Sequence, residues 1–292
     1  SVPAGGFGQV FDACFGDWAR AAAAQQPAQP VGSMGVRRGN HPAVHCLISG
    51  MAGSKQGWVE APYCACPAGF YDVAMQLRWI DDPALLLPTA LVPGLSCAHP
   101  STVPGLATVP DVMRGEEVQI LGAMFLGGWR DRLCILPGTH SKWAWVRDGR
   151  VTTFRSYMTG EFYALLSQHS LLARTVDTQA PFDPAAFALG LARTREGGSL
   201  LHHAFGARTL SLFDRMQAGP LASYLSGLVI GDELRGLEAT KAASVTLIGL
   251  HALTTRYASA CETIGITTDC LGAEATWAGL HALSQHLTRD TQ

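Results

Sequence analysis

Residues 133–143 read Leu-Cys-Ile-Leu-Pro-Gly-Thr-His-Ser-Lys-Trp. Four apolar residues run into a proline and a glycine, four polar side chains follow, and apolar sequence resumes at Trp143. Two local structures fit this pattern. One is an ordinary strand and turn; the other is a loop whose glycine lets backbone N–H groups approach a phosphate. Downstream, W-A-W-V from Trp143 and V-T-T-F-R-S-Y from Val151 have strand character, and Asp148-Gly149 between them predicts a tight hairpin. A helix is expected from about Glu161, opening a helical region to about residue 240 with caps and breaks at Pro181, Gly197-Gly198 and Gly219-Pro220. S-V-T-L-I-G from Ser244 reads as a buried strand, followed by a helix from about Ala252, a strand from Ile266 and a last helix from Ala273. The order is three strands, helix, strand, helix, strand, helix.

The upstream half shows only the later part of that order. Phe7, Val10, Phe11, Cys14 and Trp18 share one face at helical spacing. A loop is expected over Gln25–Pro30, then a strand from Val44, a strand with proline-limited ends from Leu85, and a helix from Gly115 stopped by Gly127-Gly128. If the halves are relatives, the first begins late. The division expected is residues 1–132 and 133–292.

A net charge of −2, with 21 basic and 23 acidic residues spread along 292, leaves no electrostatic footprint for nucleic acid or an anionic membrane. Small molecules are the expected partners, with homo-oligomerisation left open. The apolar stretch Ala84–Leu95 is broken by prolines and falls short of the ~20 residues that span a bilayer. The first residues lack the basic segment and apolar core of a signal peptide, so a cytoplasmic location is expected. Cysteines at 14, 46, 64, 66, 97, 134, 261 and 270 contain no C-x-x-C, and most are expected to be reduced core thiols rather than zinc ligands. A cysteine hydrolase using Cys46 or Cys134 is disfavoured, because both sit in apolar strands where thiolates are costly.

Five stretches together carry a family signal: I-S-G-M-A-G-S-K-Q-G-W-V-E-A-P-Y from Ile48, M-R-G-E-E-V-Q from Met113, L-P-G-T-H-S-K-W from Leu136, M-T-G-E from Met158 and L-S-G-L-V-I-G-D-E from Leu225. With them the chain resembles the 2-dehydro-3-deoxygalactonokinase family over residues 1–285. The resemblance implies an α/β, two-lobed actin-like ATPase (ribonuclease H-like) fold, with a nucleotide clamped between lobes that close over the sugar. It implies ATP and Mg2+, and phosphorylation of 2-dehydro-3-deoxy-D-galactonate at its 6-hydroxyl in galactonate degradation. Family members usually open with a strand, a D-W-G-T-T-N-x-R loop and a second strand. No such segment occurs here, so the expectation is a first lobe lacking its N-terminal hairpin, and with it the aspartate that helps hold magnesium. No metal residue is assigned. The alternative is a truncated, non-catalytic sugar-acid-binding remnant.

The resemblance implies roles residue by residue. Gly138, Thr139, His140, Ser141 and Lys142 would face the ATP phosphates, although Pro137 stands where related kinases carry an acidic residue. Gly249, after a buried strand, and Gly272 would lie at the adenine, with His251 more simply read as a surface histidine. Arg114 would hold the acceptor's carboxylate by a two-pronged hydrogen bond. Glu116, ahead of Glu117 and Asp111, would be the catalytic base, although acidic residues in a first helical turn also simply complement the helix dipole. Gly50, Ser54, Lys55 and Gln56 would line the sugar-acid side, where a structural turn is an equal reading, and Trp58 is read as packing. Thr159 is a natural N-cap, Glu161 would face the acceptor, and Gly227 and Gly231 would let a neighbouring helix approach.

Overall fold

Strand-forming residues from Arg132 onward build the larger of the sheets found in the computed structural model, which describes residues 6–25, 44–101, 103–240 and 242–289. Apart from Gln25, the expected Gln25–Pro30 loop lies outside those residues. The chain divides into two compact units: Ser1–Asp131 with Val146–Phe154 and Glu274–Gln292, and Arg132–Trp145 with Arg155–Ala273.

The first unit contains α1 (Phe7–Ala23), β1 (Cys46–Ile48), a 3-10 turn (Met51–Gly53), β2 (Tyr63–Ala65), α2 (Phe70–Ala74), β3 (Arg78–Trp79), β4 (Thr89–Leu91), β5 (Gly94–His99), β6 (Val109–Met113) and α3 (Glu116–Leu126). Its strands form two small sheets, ordered β1-β4-β3 and β2-β5-β6. β5 and β6 pair antiparallel with Cys97 opposite Asp111 and Leu95 opposite Met113, which delivers the chain to Arg114 and α3. Val118, Ile120, Leu121 and Met124 of α3 are fully buried, and each such side chain contributes about 1.5–3 kcal/mol by leaving water.

The second unit follows with β7 (Arg132–Leu136), β8 (Ser141–Arg147), β9 (Arg150–Tyr157), α4 (Thr159–His169), a 3-10 turn (Leu171–Arg174), α5 (Pro184–Arg193), α6 (Leu200–Leu212), α7 (Ala218–Leu234), α8 (Leu237–Thr240), β10 (Ser244–Ile248), α9 (His251–Glu262) and β11 (Thr267–Leu271); α10 (Glu274–Arg289) then packs on α3 in the first unit. The sheet order is β11-β10-β7-β8-β9, with β10 parallel to both β7 and β11. Asp148 and Gly149 both have positive φ, 49° and 70°, as the predicted hairpin requires. Leu133, Ile135, Trp143, Phe187, Leu191, Ile230, Leu234, Val245, Leu247 and Tyr257 form the core between sheet and helices.

Several expectations change in detail. The strand read from Leu85 is two, β4 and β5, because Val92-Pro93 interrupts the ladder. Helix α4 starts at Thr159, with Met158 as its N-cap residue, and the Thr159 hydroxyl binds Glu233 instead of capping. On α1 the apolar face is real but mostly uncovered: Phe7 and Phe11 meet the Trp58 ring at 6.4 and 5.7 Å, whereas Trp18 is 68% exposed. All eight cysteines are free, and Cys64, Cys134 and Cys261 are the buried ones. Among the described residues no helix is long and apolar enough to cross a membrane.

Candidate functional site

Because β7, β10 and β11 run parallel, the segments leaving their carboxyl ends share one sheet edge, the edge where open α/β sheets place ligands. Pro137–His140 follows β7, Gly249 follows β10 and Gly272 follows β11. The Gly249 amide donates to the Leu271 carbonyl at 3.0 Å, and a Cβ on Gly249 would lie 3.5 Å from the Pro137 carbonyl oxygen. The N-terminus of α4 closes on the same loop: a Cβ on Gly160 would run into the Gly138 carbonyl, and the Glu161 amide donates to the Thr139 carbonyl at 3.0 Å. The Glu161 carboxylate lies 2.5 Å from His140 Nε2, so its neighbour in this unit is the loop. Thr139 and His140 are exposed and Gly138 half-buried, where a Cβ would meet only the His140 carbonyl oxygen, at 4.0 Å.

Ser141 and Lys142 begin β8 and point inward. The Lys142 ammonium donates to Ser156 Oγ at 2.5 Å. The Ser141 hydroxyl donates to Glu233 Oε1 at 2.8 Å, Trp143 Nε1 donates to the same oxygen at 2.7 Å, and the hydroxyls of Tyr257 (2.6 Å) and Thr159 donate to Oε2. Glu233 is 6% exposed. Burial pushes its carboxyl pKa up while the four hydrogen bonds hold it down. Sequence reasoning passed over this residue; the signal was an acidic residue ending the otherwise apolar run L-S-G-L-V-I-G-D-E.

In the first unit a second cluster forms where the loop after β1 meets the start of α3. Gly50 and Gly115 have φ of 94° and 106°, and a Cβ on Gly115 would lie 3.3 Å from the Gly50 Cα. The positive φ favours glycine at both positions, and at Gly115 the approach to Gly50 adds a steric reason. The Glu117 carboxylate accepts from the Gly115 amide at 2.6 Å and from the Ser49 hydroxyl at 3.5 Å, while Glu116 accepts from the Arg114 amide at 3.0 Å. Glu117 is fully buried, and desolvation pushes its pKa up to about 8, so near neutrality it is largely protonated. Glu116 is half-buried.

Arg114 completes the cluster. Its Nη2 donates to the Ala61 carbonyl at 2.8 Å and its guanidinium sits 4.4 Å from the centroid of the Tyr63 ring. Nε and Nη1 are buried without a hydrogen-bond partner among the described residues. A Cβ at Gly53 would lie 3.0 Å from Nη1, so the glycine makes room for the fork. Ser54 is half-buried and Lys55 and Gln56 are exposed on the same loop. Asp111 stands on β6 with Oδ2 3.7 Å from His99 Nε2. Burial raises the Cys46 thiol pKa and pushes Cys134 up to about 12, so neither offers a thiolate.

Residues 1–283 match the family model described as 2-keto-3-deoxy-galactonokinase. The chain is 36% identical over 245 residues to a Rhizobium meliloti (strain 1021) protein named "Probable 2-dehydro-3-deoxygalactonokinase DgoK1", and 32% identical over 241 residues to the Escherichia coli (strain K12) protein named 2-dehydro-3-deoxygalactonokinase. Both alignments cover 82% of this chain and 77% of the relative. The crystal structure of "a putative 2-dehydro-3-deoxygalactonokinase protein from Sinorhizobium meliloti" superposes with a TM-score of 0.78 at 33% identity, covering 97% of this chain and 86% of that one. The chain belongs to the 2-keto-3-deoxy-galactonokinase family.

Proposed function

We propose that this protein transfers the terminal phosphoryl group of ATP to the 6-hydroxyl of 2-dehydro-3-deoxy-D-galactonate, and that it does so on an actin-like, two-lobed ATPase fold. Residues 1–132 supply the acceptor lobe and residues 133–292 the nucleotide lobe, apart from Val146–Phe154 and Glu274–Gln292, which belong to the first compact unit. The match of residues 1–283 to a sugar-acid kinase family carries the reading. The geometry around Arg114 supports the acceptor's place. A guanidinium whose Nε and Nη1 donors are buried without a partner among the described residues is suited to a carboxylate acceptor. Gly50, Ser54, Lys55 and Gln56 flank it on the loop that Gly53 opens.

The hydroxyl oxygen of the acceptor attacks the γ-phosphorus, the bond from that phosphorus to the bridging oxygen breaks, and ADP leaves with the bond's electrons. The hydroxyl proton passes to a carboxylate, for which Glu116 is the choice. Glu117, largely protonated near neutrality, instead fixes Gly115 and Ser49, and Asp111 stays the reserve base. In the second unit Gly138, Thr139 and His140 face the phosphates, Gly249 and Gly272 the adenosine, and Ser141 and Lys142 support the loop from β8. Glu161 acts through His140. Among the described residues no three His, Cys, Asp or Glu side chains are grouped to cage a metal. No residue is assigned to magnesium, which would be held with the nucleotide by phosphate oxygens and water. Bound there, the ion would neutralise charge on the transferring group.

A coupled assay of ADP release with 2-dehydro-3-deoxy-D-galactonate as acceptor tests the reading. Acceptor-dependent ADP release is expected, and its absence would refute the proposal.

A further inference from the structure

Glu233 lies on α7, yet all its side-chain partners come from elsewhere. Ser141 and Trp143 are on β8, Thr159 on α4 and Tyr257 on α9. The carboxylate has room for about four strong hydrogen bonds, and these four donors use it fully. Three of them adjoin a segment of the shared sheet edge. Ser141 ends the Pro137–His140 loop, Thr159 precedes the Gly160 that abuts Gly138, and Tyr257 belongs to the helix that starts two residues after Gly249.

Burying a carboxylate is costly, and well-packed apolar residues of similar volume often serve a core as well or better. A charge retained here, with three of its four partners next to the loops, is explained by the position it enforces. We propose that Glu233 is a positioning residue for the nucleotide: one carboxylate holds Ser141 and Thr159 beside the Pro137–His140 loop and Tyr257 on the helix that follows Gly249, so the backbone of both segments is set before the nucleotide arrives. Donors arranged in advance need no reorganisation when the charge is bound. The inference rests on the reading of this sheet edge as the ATP site.

The test is Glu233→Gln with Tyr257→Phe beside it. A glutamine carbonyl can accept from Ser141 and Trp143, and its amide can donate to the Thr159 and Tyr257 oxygens, so the shape persists while charge-assisted bonds become neutral ones of about half the strength. kcat and KM are measured for ATP and for the sugar acid, together with the melting temperature. For Glu233→Gln, kcat/KM for ATP is expected to fall about 10- to 100-fold, the cost of small misplacements at a reacting centre, while KM for the sugar acid stays nearly constant. Tyr257→Phe should lower the same parameter less. A lowered melting temperature with both sets of kinetic constants intact, or equal changes for both substrates, would overturn the positioning role. If Glu233→Gln does not fold, Tyr257→Phe decides by the same criterion. Gly249→Val on the wild-type background separates the two ideas. Should it leave ATP kinetics unchanged, the nucleotide reading fails and takes the inference with it. Should it abolish ATP use while Glu233→Gln and Tyr257→Phe do nothing, only the positioning role falls.

Discussion

Arg114 in the first unit and Glu233 in the second are both charged groups taken out of water, and their surroundings differ in kind. Glu233 has each oxygen satisfied twice by side chains of the protein. Arg114 has two backbone carbonyls, Ala61 at 2.8 Å and Pro62 at 3.5 Å, and one aromatic face, while Nε and Nη1 are left without a partner among the described residues. A buried polar group without a partner costs about 1–3 kcal/mol, and more when charged, so the first arrangement holds a fold together and the second holds an affinity in reserve. The difference separates scaffold from site more sharply than burial alone would.

That comparison is broken most easily at Glu233. Glu233→Ala leaves four donors without their acceptor, one of them the indole N–H of fully buried Trp143. We expect a loss of about 3–5 kcal/mol in urea unfolding, read as a lower midpoint at constant slope. A loss under about 1 kcal/mol would mean that water replaces the carboxylate. The corresponding change at Arg114 should act on binding instead. Arg114→Ala is expected to raise the acceptor's KM about 10- to 150-fold, the equivalent of a charge-assisted hydrogen bond of ~1.5–3 kcal/mol, with ATP's KM nearly unchanged. Its unfolding midpoint should move less than that of Glu233→Ala, since truncation also removes two unpaired buried donors. Equal effects on both substrates would place Arg114 among scaffold residues.

How far the sequence could be read follows from the same physics. The downstream half was legible because its strands are five to eight residues long, punctuated by Pro137-Gly138, Asp148-Gly149 and Gly249, and the order from β7 to α10 is recovered. The first unit was legible only at α1, β1 and α3. Strands β2, β3 and β4 are two or three residues long, too short for alternation to register, and β6 carries Pro110 and Asp111 on a sheet edge. α1 shows the converse failure, a clear apolar face that the described residues leave largely uncovered. Within the clusters, motif residues close in sequence were found together, as with Arg114, Glu116 and Glu117. What pattern could not show was direction. Ser141 and Lys142 are consecutive in β8 and buried on its opposite faces, one on Glu233 and the other on Ser156, and Glu233, 92 residues from Ser141, gains its meaning only once four elements converge.

A smaller effect sharpens the contrast between Glu116 and Glu117. A carboxyl whose pKa is raised from 4.5 to about 8 keeps its proton in the folded state while the unfolded chain has lost it. Between those values the native state binds more protons, so stability contributed by Glu117 is fully present below pH 4.5 and declines as pH rises through about 8. Glu117→Gln should therefore flatten the fall of the melting temperature across that window. An unaltered slope would show that Glu117 is ionised in the fold, and would return it to the pool of candidate bases.

The smallest expected effect concerns how Arg114 is aimed. The Tyr63 ring lies 4.4 Å from the guanidinium carbon and is 42% exposed, so it is wet on one side and stacked on the other. Such a contact is worth about 0.5–1 kcal/mol at an exposed site, and Tyr63→Leu should raise the acceptor's KM about two- to fivefold. Tyr63→Phe keeps the ring face and should restore the wild-type value. The size of the change discriminates between two ways of orienting the fork. If Tyr63→Leu has no effect, the 2.8 Å hydrogen bond to the Ala61 carbonyl suffices by itself. If it costs as much as Arg114→Ala, the ring touches the acceptor directly, and the recognition surface extends from the guanidinium onto β2.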